Sequence, residues 1–224
     1  MGLDILFVHP NASEKIYQGL SKKHSAIEPP IWAAMLANHC RVNNFGVQIL
    51  DCEAEMLSWE ESAKTINDIN SRVVCFVVYG QQPSASSQNM SGAVGTADLL
   101  KKINPNVKTL FVGGHVSALP SEVLKEESID MICQNEGVYT LGYLLAVTNL
   151  KDEFILRRVN GLVFRNFQKE VIFNDPSLIV PSSKLENDLP GMAWDLLPPL
   201  NKYRTAGWHS WSNNSEKEPF AALY

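Results

Sequence analysis

These 224 residues are short of several things, and each shortage closes off a class of function. Basic residues come first. Lys and Arg number 19 against 24 Asp and Glu, a net charge of −5, and no basic run exceeds pairs such as Lys101-Lys102 and Arg157-Arg158. Nucleic-acid binding needs a concentrated positive face to displace counterions, so that class is set aside. Long apolar runs are missing too. Nothing approaches the about eighteen residues of a membrane span, and we expect no membrane association. The start, Met1-Gly2-Leu3-Asp4-Ile5-Leu6-Phe7-Val8, has neither a basic n-region nor a small-residue cleavage site, so it reads as a strand rather than a signal peptide. Leu6 occupies the place where a myristoylation signal carries Ser or Thr. Cysteine is sparse: Cys40, Cys52, Cys75 and Cys133 are far apart, with no zinc or cluster spacing. Buried free thiols in a cytoplasmic, reducing setting are expected. Familiar motifs are absent as well. No Gly-x-Gly-x-x-Gly follows the first apolar run, and there is no Walker loop and no Gly-x-Ser-x-Gly elbow. Tyr79 stands where a phospho-receiver would carry Asp.

What remains is a regular alternation. Short apolar runs at Leu3–His9, Val47–Leu50, Val73–Tyr79, Lys108–Val112 and Ile129–Cys133 are separated by helix-like stretches near Ile31–Phe45, Trp59–Asn70, Ser86–Ile103, Ser121–Glu126 and Gly137–Val147. Strands alternating with helices mean βαβ units and a parallel α/β sheet of five strands. In the helix after Pro29-Pro30, Trp32, Met35, Leu36 and Cys40 are expected on one face. Beyond residue 150 the texture changes. Val159–Arg165 and Lys169–Phe173 flank Asn166-Phe167-Gln168 and predict a β-hairpin. A Pro- and Ser-rich connector follows, with apolar anchors from Leu189 to Pro199.

Open parallel sheets bind ligands beyond the C-terminal ends of their strands. The strand exits are His9-Pro10-Asn11, Tyr79-Gly80-Gln81 continuing to Ser84, Ser86 and Ser87, Gly113-Gly114-His115-Val116, and Asn135-Glu136-Gly137. They are rich in small residues and neutral hydrogen-bonding groups, a surface suited to a bulky, amide-rich ligand. Gly113-Gly114 equally suits a tight strand-to-helix turn, and the serines could be caps. Composition leaves both readings open.

The ordered set carries a resemblance. The Ser-bearing loop after the third strand, Gly113-Gly114 followed by Ala118-Leu119-Pro120, and Asn135-Glu136-Gly137 with Thr140-Leu141 are similar to matching segments of one family. So are Pro29-Pro30 before a helix with Leu36-Ala37, Asp51-Cys52-Glu53-Ala54, Asn160-Gly161, and Leu189-Pro190 leading to Ala193-Trp194-Asp195-Leu196-Leu197. The chain resembles the cobalamin-binding N-terminal domain of cobalamin-dependent radical SAM enzymes of the methyltransferase type. That resemblance implies a flavodoxin-like, Rossmann-like five-stranded sheet over residues 1–150, a β-hairpin and linker over 151–188, and a connector over 189–224. Phe220–Tyr224 would open a radical SAM barrel whose Cys-x-x-x-Cys-x-x-Cys motif lies beyond this sequence. The full enzyme would carry a 4Fe-4S cluster and S-adenosylmethionine and act on a small-molecule substrate, with the barrel in cis as partner.

The resemblance further implies that His9, Pro10, Asn11, Tyr79, Gly80, Gln81, Ser84, Ser86, Gly113, Gly114, His115, Val116, Asn135, Glu136 and Gly137 bind cobalamin. The dimethylbenzimidazole tail would enter a cleft lined by Ser84, Ser86, Gly113 and Gly114. The Asp-x-His-x-x-Gly motif that places a histidine on cobalt is missing, since Phe7 and Ala12 flank His9 at its Asp and Gly positions. Base-off binding without a protein histidine is therefore implied, serving methyl transfer to an unactivated carbon, with no catalytic or metal-ligating residue in this chain. Asn135 stands where the family usually has Gly, and Val138 where it has Glu or Asp. Two other readings are a stand-alone binding module for cobalamin and an unrelated flavodoxin-like domain for FMN or a nucleotide.

Overall fold

The computed structural model describes residues 2–17, 26–80 and 83–204. Five parallel strands run β1 (Ile5–His9), β2 (Val47–Asp51), β3 (Val73–Val77), β4 (Thr109–Val112) and β5 (Met131–Cys133). The antiparallel hairpin β6 (Leu162–Arg165) and β7 (Val171–Phe173) adds onto β5, so one sheet runs β2-β1-β3-β4-β5-β6-β7. The hairpin expected from the sequence thus extends the sheet. The helices are α1 (Ser13–Tyr17), α2 (Ile31–Val42), α3 (Trp59–Ile69), α4 (Pro83–Ile103), α5 (Gly114–Ala118), α6 (Pro120–Val123), α7 (Val138–Ala146), α8 (Glu153–Leu156) and α9 (Leu185–Asp188). Among the described residues, no helix is long and apolar enough to cross a membrane.

The continuous apolar runs make sense once both sheet faces are covered. Ile5, Phe7, Cys75 and Val77 face one core with Ala33, Leu36 and Ala37 of α2 and Leu141 and Leu144 of α7. Leu6, Val8, Val74 and Phe76 face the other, against Ala63 and Ile66 of α3 and Ala93, Ala97 and Leu100 of α4. On α2 the buried stripe is Ala33, Leu36, Ala37 and Cys40, while Trp32 and Met35 are half-buried. Of the expected face Leu36 and Cys40 are buried, and Trp32 packs at the margin of the core, stacked on Tyr79 with ring centroids 4.4 Å apart.

All four cysteines are buried and unpaired. Burial pushes the Cys40 and Cys52 thiols up to about 12 and raises those of Cys75 and Cys133.

The connector crosses the outside of α2 and α7 as a strap. Ala193 N–H donates to the Ala34 carbonyl at 3.1 Å, and His39 Nδ1 lies 2.6 Å from the Asp188 carbonyl. Tyr139 O–H donates to Asp188 at 2.5 Å, which pushes the phenol up to about 12. Arg41 pairs with Asp195 at 2.6 Å. His39 is thus a packing residue. His24, Trp208, His209, Trp211 and the expected barrel strand Phe220–Tyr224 lie outside the described residues.

Candidate functional site

The strand order reverses between β1 and β3, and a cleft of about 280 Å³ opens there beyond the strand ends. Such a switch point is where an open α/β sheet offers room, because the flanking loops diverge to opposite faces. His9 and Glu53 from the first and second strand exits, Tyr79 and Gly80 from the third, and Glu28-Pro29-Pro30 with Trp32 at the start of α2 line the cleft. Ala85, Gln88 and Asn89 close it from α4. Drug-sized ligand sites usually measure roughly 300–1,000 Å³, so a bulky ligand would rest over this cleft more than inside it.

His9 ends β1 and is 9% exposed. Its Nε2 lies 3.4 Å from Glu53 Oε2. Burial pulls its pKa down, but Asp51, Glu53 and Glu28 together outweigh burial, and the net shift is upward. Asp51 is 1% exposed, and burial raises its pKa against the opposing pull of His9. Pro10, which follows His9 in the chain, is buried. Asn11 is occupied structurally: its Nδ2 donates to the Leu57 carbonyl at 3.0 Å, and its own carbonyl accepts from Trp59 Nε1 at 2.9 Å.

Tyr79 O–H donates to the Asn135 carbonyl at 2.7 Å, joining the third and fifth strand exits. Burial raises the Tyr79 pKa. Gly80 approaches α4 so closely that a Cβ would sit 2.3 Å from the Ala85 Cβ. Gln81 lies outside the described residues. Ser84 is exposed on the first turn of α4.

The two glycines after β4 serve different ends. A Cβ on Gly113, whose φ is +156°, would meet the Val78 carbonyl oxygen at 2.7 Å, so the fold itself requires glycine there. Gly114 is exposed, and a Cβ there would meet only Ser86 side-chain atoms, at 3.7 and 3.9 Å. Among the described residues nothing demands glycine at 114, since these are ordinary contact distances. Buried Ser86 donates to the Val78 carbonyl at 2.5 Å and accepts from His115 N–H at 3.0 Å. The Ser87 hydroxyl lies 2.9 Å from His115 Nδ1. Val116 is a core residue.

At the fifth exit, Asn135 adopts φ +56°. Asn tolerates this left-handed region better than other side chains, so it can stand in for the usual Gly. Gly137, at φ +76°, keeps a Cβ away from Val112. The Glu136 carboxylate accepts from Val180 N–H at 3.0 Å and so ties down the strap.

Of the expected residues His9, Tyr79 and Gly80 line the cleft, Ser86 and His115 are joined by a hydrogen bond at the fourth exit outside that lining, and Asn11, Val116 and Glu136 are committed to internal contacts. Glu28, Trp32 and Glu53 also line the cleft but were not on the expected site. The one sequence signal for them was a strand exit at Asp51-Cys52-Glu53 and a Pro29-Pro30 stop before α2.

The family described as B12 binding domain matches residues 20–145. An uncharacterized methyltransferase of Pyrococcus horikoshii is 29% identical over 182 residues, covering 80% of this chain and 36% of that protein. The anaerobic magnesium-protoporphyrin IX monomethyl ester cyclase of Rubrivivax gelatinosus is 26% identical over 165 residues, covering 71% and 27%. The chain therefore spans about a third of these relatives or less. Among solved structures, the cobalamin-dependent S-adenosylmethionine radical enzyme OxsB with aqua-cobalamin and S-adenosylmethionine superposes with a TM-score of 0.63 at 18% identity, over 89% of this chain and 25% of that one. The radical S-adenosylmethionine methyltransferase TsrM of Kitasatospora setae gives 0.55 at 13% identity, over 77% and 30%. At these identities the likeness is one of fold.

Proposed function

Because the chain belongs to the B12-binding domain family, we propose that it holds cobalamin over the C-terminal edge of its sheet as the accessory domain of a radical SAM enzyme. The observation that carries this reading is Gly114, an exposed glycine at which a Cβ would meet only ordinary contacts with Ser86 among the described residues. The cofactor is bulky, and its side arms end in neutral amides. A backbone without a side chain admits its close approach, while exposed Ser84, the Ser87–His115 pair and the carbonyls of the fifth exit offer hydrogen-bonding partners. Bound there, cobalamin supplies a methyl carrier.

The base-off state without a protein histidine is part of the proposal. His9 is surrounded by carboxylates that favour its imidazolium, and an imidazolium uses both ring nitrogens as donors, leaving no lone pair for cobalt. Methyl transfer to an unactivated carbon would then draw on a 4Fe-4S cluster and S-adenosylmethionine held by a barrel domain in cis, toward which the connector from 189 onward would lead. The names of the methyltransferase relatives favour this over an FMN or nucleotide module.

Hydroxocobalamin incubation, desalting and visible spectroscopy test the binding. The native chain is expected to retain corrinoid absorbance, and Gly114→Val to lose it by tenfold or more (about 1.4 kcal/mol) while keeping its circular dichroism and melting temperature. Retention by Gly114→Val would reduce the Gly pair to a turn. In the cobalt(II) complex, electron paramagnetic resonance should show no nitrogen superhyperfine splitting; a split signal would contradict the base-off, His-free state.

A further inference from the structure

The end of the described strap is bonded to the segment that leads into the cleft. Tyr203 is 0% exposed and packs with Ile27 and Ala54. Its neighbour Arg204 forms an antiparallel bridge with Ile27 through two N–H···O bonds of 2.9 Å. Ile27 leads directly into Glu28-Pro29-Pro30, the edge of the cleft. Lys202 pairs with Glu55 at 3.1 Å beside this bridge.

The Tyr203 hydroxyl does more than fill space. It donates to Asp51 Oδ2 at 3.0 Å, while Asp51 Oδ1 accepts from Ala54 N–H at 3.0 Å. Asp51 is the register partner of His9 across the β2–β1 ladder. A carboxylate buried to 1% exposure is costly unless its oxygens are bonded and its charge balanced. Tyr203 and Ala54 provide the bonds, and the register partner His9 is the basic residue whose protonated form the surrounding carboxylates favour. Around His9 stand Asp51 from β2, Glu53 from the loop after β2, and Glu28 from the segment before α2. Around Asp51 stand His9, Glu53 and Tyr203, and Glu55 lies near Tyr203. Among the described residues no group of three or more His, Cys, Asp or Glu side chains is placed to hold a metal ion, so the cluster is a charge network.

We propose that Tyr203 is a positioning residue: through Asp51 it fixes the imidazole of His9 at the floor of the cleft, so that the seating of the connector and the arrangement of the cleft floor form one linked equilibrium. The link runs from Tyr203 to Asp51 by a hydrogen bond and from Asp51 to its register partner His9 through charge across the β2–β1 ladder, with the Ile27–Arg204 bridge leading to the cleft edge. It holds in the free chain, whichever ligand the cleft takes. A force that lifts the connector removes a donor from Asp51, unpins the Glu28 edge and resets His9.

The test is ring-proton NMR of the unliganded chain, following the His9 titration, with the His9 signal assigned by its loss in His9→Gln. Tyr203→Phe keeps the ring in its dry slot and removes only the hydroxyl. Asp51 then leans harder on the imidazolium, and the His9 midpoint should rise by about 0.3 pH unit or more. Tyr203→Ala opens the slot to water. The midpoint should then fall toward about 6.5, and the Ile27 and Arg204 amides should exchange about tenfold faster, as for a segment released from its anchor. An unchanged His9 midpoint in Tyr203→Phe would overturn the proposal. So would a Tyr203→Ala chain whose bridge amides are freed while His9 titrates as before, since Tyr203 would then be packing alone. If the alanine variant does not fold, the phenylalanine variant decides.

Discussion

At the scale of single residues, His9 carries a pH dependence whose sign follows from its neighbours. Its pKa is raised in the folded chain, by carboxylates that outweigh burial. The stability this contributes is fully present below the unfolded value of about 6.5 and is lost as pH rises through the folded value. Asp51, also raised by burial, pushes in the same direction at lower pH. Urea denaturation should therefore give a lower midpoint at about pH 8.5 than at about pH 6.5. His9→Gln should flatten that difference, and a difference that persists in this variant would assign it elsewhere. Its place at the first strand exit marked His9 in the sequence. The upward shift was hidden, because Glu28 and the Asp51-Cys52-Glu53 strand exit converge on it from two separate chain segments.

At the scale of elements, α4 shows why sequence patterns reach only so far. Gly92 and Gly95 lie inside this 21-residue helix, where glycine normally costs about 1 kcal/mol relative to alanine. Here a Cβ on Gly92 would meet the Asn11 carbonyl oxygen at 2.5 Å, and one on Gly95 would meet the Trp59 ring at 2.3 Å. Gly92→Ala should therefore destabilise the chain by about 1–3 kcal/mol, where an ordinary exposed helix site would gain. It should also weaken corrinoid retention, because the helix that moves carries Ser84 and Ser86. Thermal unfolding together with the desalting assay reads both effects. The strands were legible because both faces of β1 and β3 are buried, which leaves continuous apolar runs. Their ends were not: Leu3 and Tyr79 are apolar enough to prolong a run, yet both fall outside the ladder, and Tyr79 turns to Trp32 and Asn135. The attachment of β6 to β5 was equally hidden, since a hairpin motif does not state which edge it joins. The cleft edge at Glu28 and Glu53 depends on the reversal of strand order, a property of topology rather than of spacing.

At the scale of the whole molecule, the strap is part of the core. Leu189, Met192, Leu196 and Leu197 pack on the cluster beneath α2 and α7, and Ala193 is 0% exposed. A chain ended after Phe173 should melt at a lower temperature and bind a hydrophobic dye that the intact chain does not; equal melting temperatures would show the strap to be dispensable. The buried thiols add a second measurement. Cys52 lies in the core beneath α3 and α4, and Cys40, Cys75 and Cys133 in the core on the opposite face of the sheet. In the native chain, alkylating reagents should find no thiolate to attack, so modification waits for the sheet to open. Peptide mass spectrometry after timed exposure to iodoacetamide should then show either all four cysteines reacting at one rate or two separate rates. Nature has thus furnished the domain with an internal clock that tells, without any added label, whether its two faces come apart together or in turn.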